Sequence, residues 1–345
     1  MKIRIYNILL ILLSFPFGAI AQADSTQTII TNQYITDKSN FINVSVFKRN
    51  PNNLINLESK FNLTFKPNDV FNQGIKIQHK WFGLGIGFSP KKLQTDKRGS
   101  TDELDLHLYV YSKRQYLDAY FISYKGFYLE NYKQNDSLRK HYTSFPLMPD
   151  LSITTAGLTY LHLFNHKKFS LRASFTQNEI QRKSAGSFVL GSSVNYMRME
   201  NSGNIIPKEL RAVALANQQF VKVSFYDISI LPGYAHTFVY KRFYLTLVPM
   251  LGVALQYQDF STVDKRNPTR ISNGFRSLSK VSIGYNSDRF FCALTGTNDT
   301  YNYMLVPEVR LRTQISEARV IIGYRFNTTG VIQKISNQMD KIIKP

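Results

Sequence analysis

The chain is poor in cysteine, tryptophan and long apolar runs. It has one Cys and one Trp among 345 residues. The single Cys292 excludes an internal disulfide framework and a zinc site built from cysteines. No cysteine lies directly after the predicted signal cleavage point, so a lipoprotein anchor is not predicted. Beyond that segment no window of about 18 consecutive apolar residues occurs, which excludes a transmembrane helix.

Acidic residues are also few, with 23 Asp and Glu against 43 Lys and Arg and a formal net charge of +20. Nucleic acid is the usual partner of so basic a chain. The export signal described below argues against it and favours phosphate groups at a membrane surface. The expected partners are outer-membrane lipids, including lipopolysaccharide or lipooligosaccharide phosphates. Adjacent basic pairs near predicted turns include Lys113-Arg114, Lys167-Lys168, Arg182-Lys183 and Lys241-Arg242.

The first residues have the pattern of a secretory signal. Lys2 and Arg4 precede an apolar run at 5–17 that is too short to span a bilayer as a helix. A small-x-small site then predicts cleavage after Ala21, so residues 1–21 are expected to be a cleaved signal peptide. The polar residues 22–40 are expected to form a periplasmic lead-in to the folded domain.

Tyrosine and phenylalanine are abundant, with 21 and 25 copies. The clearest pattern is at 318–326, where apolar side chains ending in Tyr324 and Phe326 alternate with Arg319, Gly323 and Arg325. Such alternation places apolar residues toward lipid and polar ones inward, as in the last strand of an outer-membrane barrel. Tyr324 and Phe326 are therefore the predicted signal for the barrel-assembly machinery.

The same alternation recurs through residues 41–326 and predicts one up-and-down antiparallel transmembrane β-barrel. The count is about 14 strands, within a range of about 12 to 16. Short turns are expected at one end and long loops (129–150, 200–219 and 258–272) at the other. The predicted strand segments are 57–66, 75–80, 82–88, 103–110, 115–128, 151–164, 168–178, 187–199, 220–239, 242–257, 273–286, 289–299 and 317–326, with 303–313 as a further candidate.

Two segments do not have the strand pattern. Pro207 precedes good helix formers up to Ala216, which predicts a short helix in a loop. The tail at 327–345 carries apolar residues at helical spacing among lysines. That pattern fits either a short amphipathic helix at the membrane interface or a frayed terminus.

Short motifs recur in order along the chain: Phe65-Lys66-Pro67-Asn68, His79-Lys80-Trp81, residues 124–129, 184–190 and 284–290, and Gly323-Tyr324-Arg325-Phe326. Together they resemble the motifs of a family of Bacteroidota outer-membrane β-barrels, the domain of unknown function 4421 family. The resemblance implies a barrel in the bacterial outer membrane, and it brings no catalytic residues with it. The basic tail after Phe326 departs from a chain that ends at its last aromatic residue.

Patterns that could indicate catalysis or metal binding have simpler explanations. The glycines of 83–87 alternate as strand residues, whereas a phosphate loop needs a helix after it. His162 and His166 flank a strand-to-turn junction, which does not favour a metal site. A barrel hydrolase or acyltransferase using Ser187, or His141 near Ser144, is the least favoured alternative. No catalytic, cofactor or metal residue is predicted, and the protein is expected not to be an enzyme.

Basic residues outnumber acidic ones on the predicted inward face. A net positive lining would favour anions in a water-filled lumen, so a passive pore with weak anion preference is one expectation. The alternative is a closed structural or surface-binding barrel that acts through its extracellular loops. The predicted lumen-lining residues are Lys60, Lys76, Lys80, Arg172, Arg319 and Arg325.

Overall fold

The computed structural model of the chain describes residues 32–68, 72–80, 82–88, 96–212, 214, 219–262, 269–306 and 309–328. The predicted signal peptide with its cleavage site after Ala21 lies outside the described residues, and so does nearly all of the predicted tail at 327–345. Among the described residues, no helix is long and apolar enough to cross a membrane.

Strands make up most of the described chain, because alternating apolar and polar residues suit a sheet with two different faces. The short α-helices lie between strands, and so do two 3-10 helices at Asp96–Arg98 and Tyr132–Gln134. The strands are β1 (Ile35–Asp37), β2 (Ile42–Glu58), β3 (Leu63–Pro67), β4 (Asn72–His79), β5 (Phe82–Phe88), β6 (Asp102–Tyr111), β7 (Gln115–Leu129), β8 (Leu147–Leu163), β9 (Glu179–Gln181), β10 (Ala185–Glu200), β11 (Phe220–Tyr240), β12 (Phe243–Thr262), β13 (Arg270–Asn286), β14 (Phe290–Val306) and β15 (Val309–Phe326). The helices are α1 (Asp136–His141), α2 (Leu171–Phe175) and α3 (Lys208–Arg211).

The sheet closes on itself as an antiparallel barrel. Its ten-stranded circuit contains β2, β3, β7, β8 and β10 to β15, and β15 returns to β2. That last pairing runs from Arg310 opposite Glu58 to Phe326 opposite Ile42. Three outer strands, β4, β5 and β6, form a second connection between β2 and β7 beside β3. We call the end that holds Ile42 and Phe326 the turn end, and the end that holds Glu58 the loop end.

The strand count differs from the prediction of about 14, because alternation does not reveal where a chain reverses. Residues 57–66 are not one strand: β2 ends at Glu58, and the bend before β3 includes Asn62, whose φ is +46°. Residues 303–313 belong to two long strands, β14 and β15. Residues 168–178 form α2 and an irregular segment instead of a strand. The predicted loop helix is only α3, four residues long.

The outer face carries a band of exposed apolar side chains. Aromatic residues flank the band on both sides, which is the pattern of interfacial girdles in membrane barrels. Exposed aliphatic residues of the band include Leu104, Leu106, Leu108, Ile228, Ile230, Leu251, Val253, Ile283, Leu294, Val320 and Ile322. Exposed aromatic residues toward the turn end include Phe164, Phe188, Tyr240, Phe243, Phe290, Tyr324 and Phe326. Toward the loop end they are Phe121, Tyr226 and Tyr257, which lie on one line of paired residues across neighbouring strands.

Candidate functional site

The interior of the barrel is the candidate site, because the buried charged and polar side chains described below converge there. At the turn end it holds the segment 169–181, which we call the plug. The plug contains α2 and β9, and all but one of its residues are buried. Its β9 strand pairs with β1, from Ile35 opposite Gln181 to Asp37 opposite Glu179. The chain therefore leaves the wall after β8 and folds into the lumen before returning as β10.

Side chains of the wall hold the plug through its backbone carbonyls. The Ser174 carbonyl accepts hydrogen bonds from the Tyr244 and Ser282 hydroxyls at 3.2 and 2.9 Å. The Ala173 carbonyl accepts one from Asn286 Nδ2 at 3.0 Å. Buried carbonyls need such partners, because an unpaired one costs about 1–3 kcal/mol. Side chains of the wall thus replace the hydrogen bonds that a neighbouring strand would have made to the backbone of the plug.

A buried ion pair lies inside the plug itself. Arg172 Nη1 is 3.2 Å from Glu179 Oε1, and both side chains are less than a tenth exposed. Ser170 caps α2 by accepting a hydrogen bond from the Ala173 amide, and its hydroxyl donates to Glu179. Sequence reasoning missed the plug because its first residues alternate as a strand does. The Ser170 helix cap was the available signal.

Above the plug, the middle of the lumen is polar and closely packed. Arg276 Nη2 contacts Asp299 Oδ2 at 2.7 Å, and the same nitrogen donates to the Thr159 hydroxyl at 3.2 Å. Asn195 donates to Asp227 at 3.0 Å. Buried charges need such partners, since an isolated ion in a low-dielectric interior is strongly unfavourable.

The loop end of the lumen is filled by an apolar core. Phe225 and Tyr303 stack with ring centroids 4.1 Å apart, and Tyr120 shares a hydrogen bond with Tyr301 at 3.1 Å. These side chains face inward toward the loop end. Other members of the core are Leu57, Leu63, Phe65, Tyr124, Leu151, Met197, Met199, Phe220, Leu305 and Leu311.

The loop end is covered by ordered loops. α1 and α3 lie against each other, and Tyr142 donates to Glu209 Oε1 at 2.9 Å. Burial and this carboxylate raise the pKa of the Tyr142 hydroxyl. The Asn135 side chain caps α1 by accepting from the Ser137 amide at 3.1 Å. Exposed basic residues on this cover are Lys133, Arg139, Lys140, Lys208 and Arg211.

The structure brings only some of the predicted lumen residues together. Lys76 of β4 and Arg319 of β15 line one small internal cavity. Arg325 of β15 is completely buried against the plug. The other three predicted residues have different positions.

Three of those assignments need correction. Lys60 is exposed in the bend between β2 and β3, because the chain reverses there. Lys80 lies in the turn after β4, with a φ of +52°, and its carbonyl accepts from Asn178 Nδ2 of the plug at 2.6 Å. Arg172 is inside the lumen but belongs to α2 of the plug, not to a wall strand.

Ser187 and His141, two of the residues considered for catalysis, make structural contacts. The Ser187 hydroxyl accepts from the Asn165 amide at 2.9 Å and donates to the Phe188 carbonyl at 2.7 Å, which stabilises a turn. His141 Nδ1 is 2.7 Å from the Ser137 carbonyl within α1. Burial and the nearby Arg114 and Lys167 charges lower the pKa of His166.

No group of three or more His, Cys, Asp or Glu side chains that could hold a metal ion occurs in the described part of the chain. At the turn end, outside the apolar band, Lys38 Nζ contacts Asp288 Oδ1 at 2.9 Å and Arg182 Nη2 contacts it at 3.2 Å. The hydrogen bond from Lys38 holds the pKa of the Asp288 carboxyl below its usual value.

Comparison with solved structures finds other barrels of the outer membrane. The outer membrane protease OmpT from Escherichia coli is 9% identical, with 84% of this chain and 98% of that chain covered and a TM-score of 0.39. The attachment invasion locus protein Ail of Yersinia pestis is 9% identical, with coverages of 82% and 99% and a TM-score of 0.25. The toluene transporter TodX of Pseudomonas putida is 9% identical, with coverages of 84% and 90% and a TM-score of 0.22. With identities and TM-scores this low, none of these structures bears on the activity of this chain.

No curated protein matches the chain. Residues 23–326 match the family described as Domain of unknown function (DUF4421). The match covers the whole barrel from β1 to β15, and it confirms the family resemblance expected from the sequence motifs; the Bacteroidota lineage stays a prediction. The chain belongs to the DUF4421 family of domains of unknown function.

Proposed function

We propose that this protein is a closed β-barrel of the bacterial outer membrane that acts at the cell surface through its loop end. The observation that carries this proposal is the plug, which occupies the turn end of the lumen with buried, hydrogen-bonded residues. The apolar core at the loop end fills the lumen a second time. Filling at these two levels supports a closed barrel.

The outer face supports the membrane location. On β15 the outward residues from Val320 to Phe326 are apolar and exposed, whereas Arg310 and Arg312 toward the loop end are charged. A strand crosses the hydrocarbon layer in about 9–11 residues, so only part of this 18-residue strand lies in lipid. The turn end then faces the periplasm, because short turns are typical of that side. A signal peptide cleaved after Ala21 would deliver the chain there.

The proposed partners are anionic phosphate groups of outer-membrane lipids. Arg310 and Arg312 are exposed on the outer face of β15, above the apolar band. Arg312 Nη2 is 3.3 Å from Glu58 Oε1, and this exposed pair leaves the guanidinium accessible. Cations at this height would lie at the level of lipopolysaccharide phosphates in the outer leaflet. The exposed basic residues of α1 and α3 add positive charge at the loop end.

A passive pore with weak anion preference is the second candidate. Lys76, Lys280 and Arg319 favour it, because all three lie on inward-facing positions of the wall. A pore would require the plug and the loop-end core to move out of the lumen. No reaction is part of either proposal, since Ser187 and His141 make structural contacts in a turn and a helix.

Single-channel recording of the purified protein in planar bilayers separates the two candidates. We expect no steady conductance from the closed barrel, with a purified open porin as the positive control. An anion-selective conductance whose reversal potential moves toward cations in Lys76→Glu would establish the pore and overturn the closed barrel. Lys60→Glu is the matched control, because Lys60 is exposed outside the lumen.

A further inference from the structure

A small cavity lies where the barrel wall meets the plug. The wall contributes Asn43 and Ser45 of β2, which pair with Gln78 and Lys76 of β4. β15 contributes Arg319, and Thr176 and Gln177 come from the plug. The cavity has room for about one water molecule.

Several hydrogen-bond donors face this cavity without a protein partner. Gln78 is 3% exposed and Ser45 is 6% exposed. Neither side chain, nor that of Lys76, makes a hydrogen bond or an ion pair with another described residue. Arg319 Nε is also buried without an acceptor. One buried acceptor of the lining, Asn43 Oδ1, has no donor either. Buried donors without partners are unfavourable, and the unpartnered donors outnumber this acceptor, so the arrangement points to an occupant that accepts hydrogen bonds.

The nearby carboxylates are already engaged by arginines. Both oxygens of Glu317 lie 3.2 Å from Arg319 Nη2, and one is 3.5 Å from Arg49 Nη1. Glu103 contacts Arg49 Nη2 at 3.3 Å, and Asp105 contacts Arg49 Nη1. No carboxylate among the described residues forms an ion pair with Lys76. Two cationic side chains, Lys76 and Arg319, therefore share the cavity.

We infer that this cavity binds a halide ion, chloride in the cell, between Lys76 and Arg319. Arg319 is already paired with Glu317, so the charge left uncompensated in the cavity is that of Lys76. A full negative charge offsets it in a low-dielectric interior, which a neutral water does only weakly. The size of the cavity excludes phosphate and sulfate and leaves a monoatomic anion. The Ser45 hydroxyl and the Gln78 amide supply two further donors to it.

The halide site joins the wall to the plug. Lys76 and Arg319 belong to wall strands, whereas Thr176 and Gln177 belong to the plug. Asn43 Nδ2 also donates to the Gln177 carbonyl at 3.2 Å, next to the cavity. The bound anion neutralises positive charge of the wall at the place where the plug packs against it. Halide binding is therefore expected to stabilise the whole barrel, and the inference holds whether or not the protein conducts.

Thermal unfolding of the purified protein in detergent tests the inference. At constant ionic strength, replacing sodium gluconate by sodium chloride or bromide is expected to raise the midpoint temperature of unfolding. At halide concentrations above the Kd of the site, this temperature should rise further with concentration. Lys76→Met should remove the halide dependence. Lys48→Met, on the exposed outer face of β2, should retain it.

Crystals of the wild-type protein grown with sodium bromide give a second readout that needs no variant. We expect an anomalous bromide peak between Lys76 Nζ and Arg319 Nε. A midpoint that is the same in gluconate and in halide, with no anomalous peak in the cavity, would mean that water fills it and would overturn the inference. Halide dependence that survives in Lys76→Met would place the anion elsewhere, with the same consequence.

Discussion

Arg325 donates hydrogen bonds from Nε and Nη2 to the Gln177 carbonyl, at 3.1 and 2.5 Å, and so ties the last barrel strand to the plug. The two residues are 148 positions apart in the chain. The same guanidinium donates to Asn286 Oδ1 at 2.7 Å and to the Ser287 carbonyl. One buried cation therefore joins β15, the turn between β13 and β14, and the plug.

Replacing Arg325 by Met should loosen the plug. The change keeps most of the side-chain volume but leaves the Ser287 carbonyl without its donor and the Gln177 carbonyl with that of Asn43 alone. We expect the barrel to lose about 3 kcal/mol of stability, since hydrogen bonds to a charged group contribute about 1.5–3 kcal/mol each and losses in one cluster overlap. The temperature at which the folded gel band converts to the unfolded one measures the effect. Arg242→Met, at an exposed turn, is the control, and equal shifts in the two variants would contradict the role of Arg325.

The buried ion pair of the plug should show strong coupling. Arg172→Met alone leaves the Glu179 carboxylate buried without its cation, and we expect a loss of about 3–5 kcal/mol. The double variant Arg172→Met with Glu179→Met should lose less free energy of unfolding than the two single variants lose in sum. Reversible unfolding in urea with detergent gives the free energies. Additive losses would show that the two side chains act independently.

The aromatic end of β15 should be needed for assembly. Phe326 is 49% exposed on the outer face and pairs with Ile42, where the barrel closes. Phe326→Asp places a charge near the membrane interface and removes the proposed signal for the barrel-assembly machinery. The amount of protein in the outer membrane should fall several-fold, whereas removing residues 331–345 should be tolerated. Normal insertion of Phe326→Asp together with failure of the truncated chain would refute this assignment.

Acid should weaken the contact between Lys38 and Asp288. The pKa of Asp288 is lowered in the folded state, so its contribution is present above the unfolded pKa of about 3.9 and is lost as the pH falls through the folded pKa. We expect the wild-type midpoint to be flat from about pH 7 to 5 and to fall below about pH 4, with a smaller fall in Asp288→Asn. The effect should be small, because Asp288 is half exposed. Identical acid profiles would assign the loss to other carboxylates.

Outer-face cations should retain anionic lipid. We expect the double variant Arg310→Ser and Arg312→Ser to carry several-fold less lipopolysaccharide through purification than the wild type, because two charges above the apolar band are lost. Phosphate analysis of the extracted lipid measures the amount. The matched control is Lys113→Ser with Arg114→Ser, an exposed basic pair at the turn end. Equal losses in both double variants would indicate a general charge effect.

Local alternation of apolar and polar residues was sufficient to determine much of this protein. In β15 the outward positions of Val320, Ile322, Tyr324 and Phe326 follow from a two-residue period, because neighbouring strand residues face opposite sides. The same period explains why Arg325 faces inward. A closed antiparallel barrel and its short turns could be predicted on this basis, and the short motifs along the chain indicated the family.

Only the tertiary structure decided what fills the barrel. Residues 168–178 alternate like a strand, yet the Ser170 cap and the Arg172–Glu179 pair turn them into the plug, because wall side chains such as Tyr244 and Asn286 supply their hydrogen bonds. Both Lys60 and Lys76 were predicted from alternation to line the lumen. A chain reversal exposes Lys60, whereas the closure of β15 on β2 places Lys76 beside Arg319. The hydrogen bonds of Asn286 and Arg325 to the plug join residues 113 and 148 positions apart, and local periodicity carries no information about such contacts.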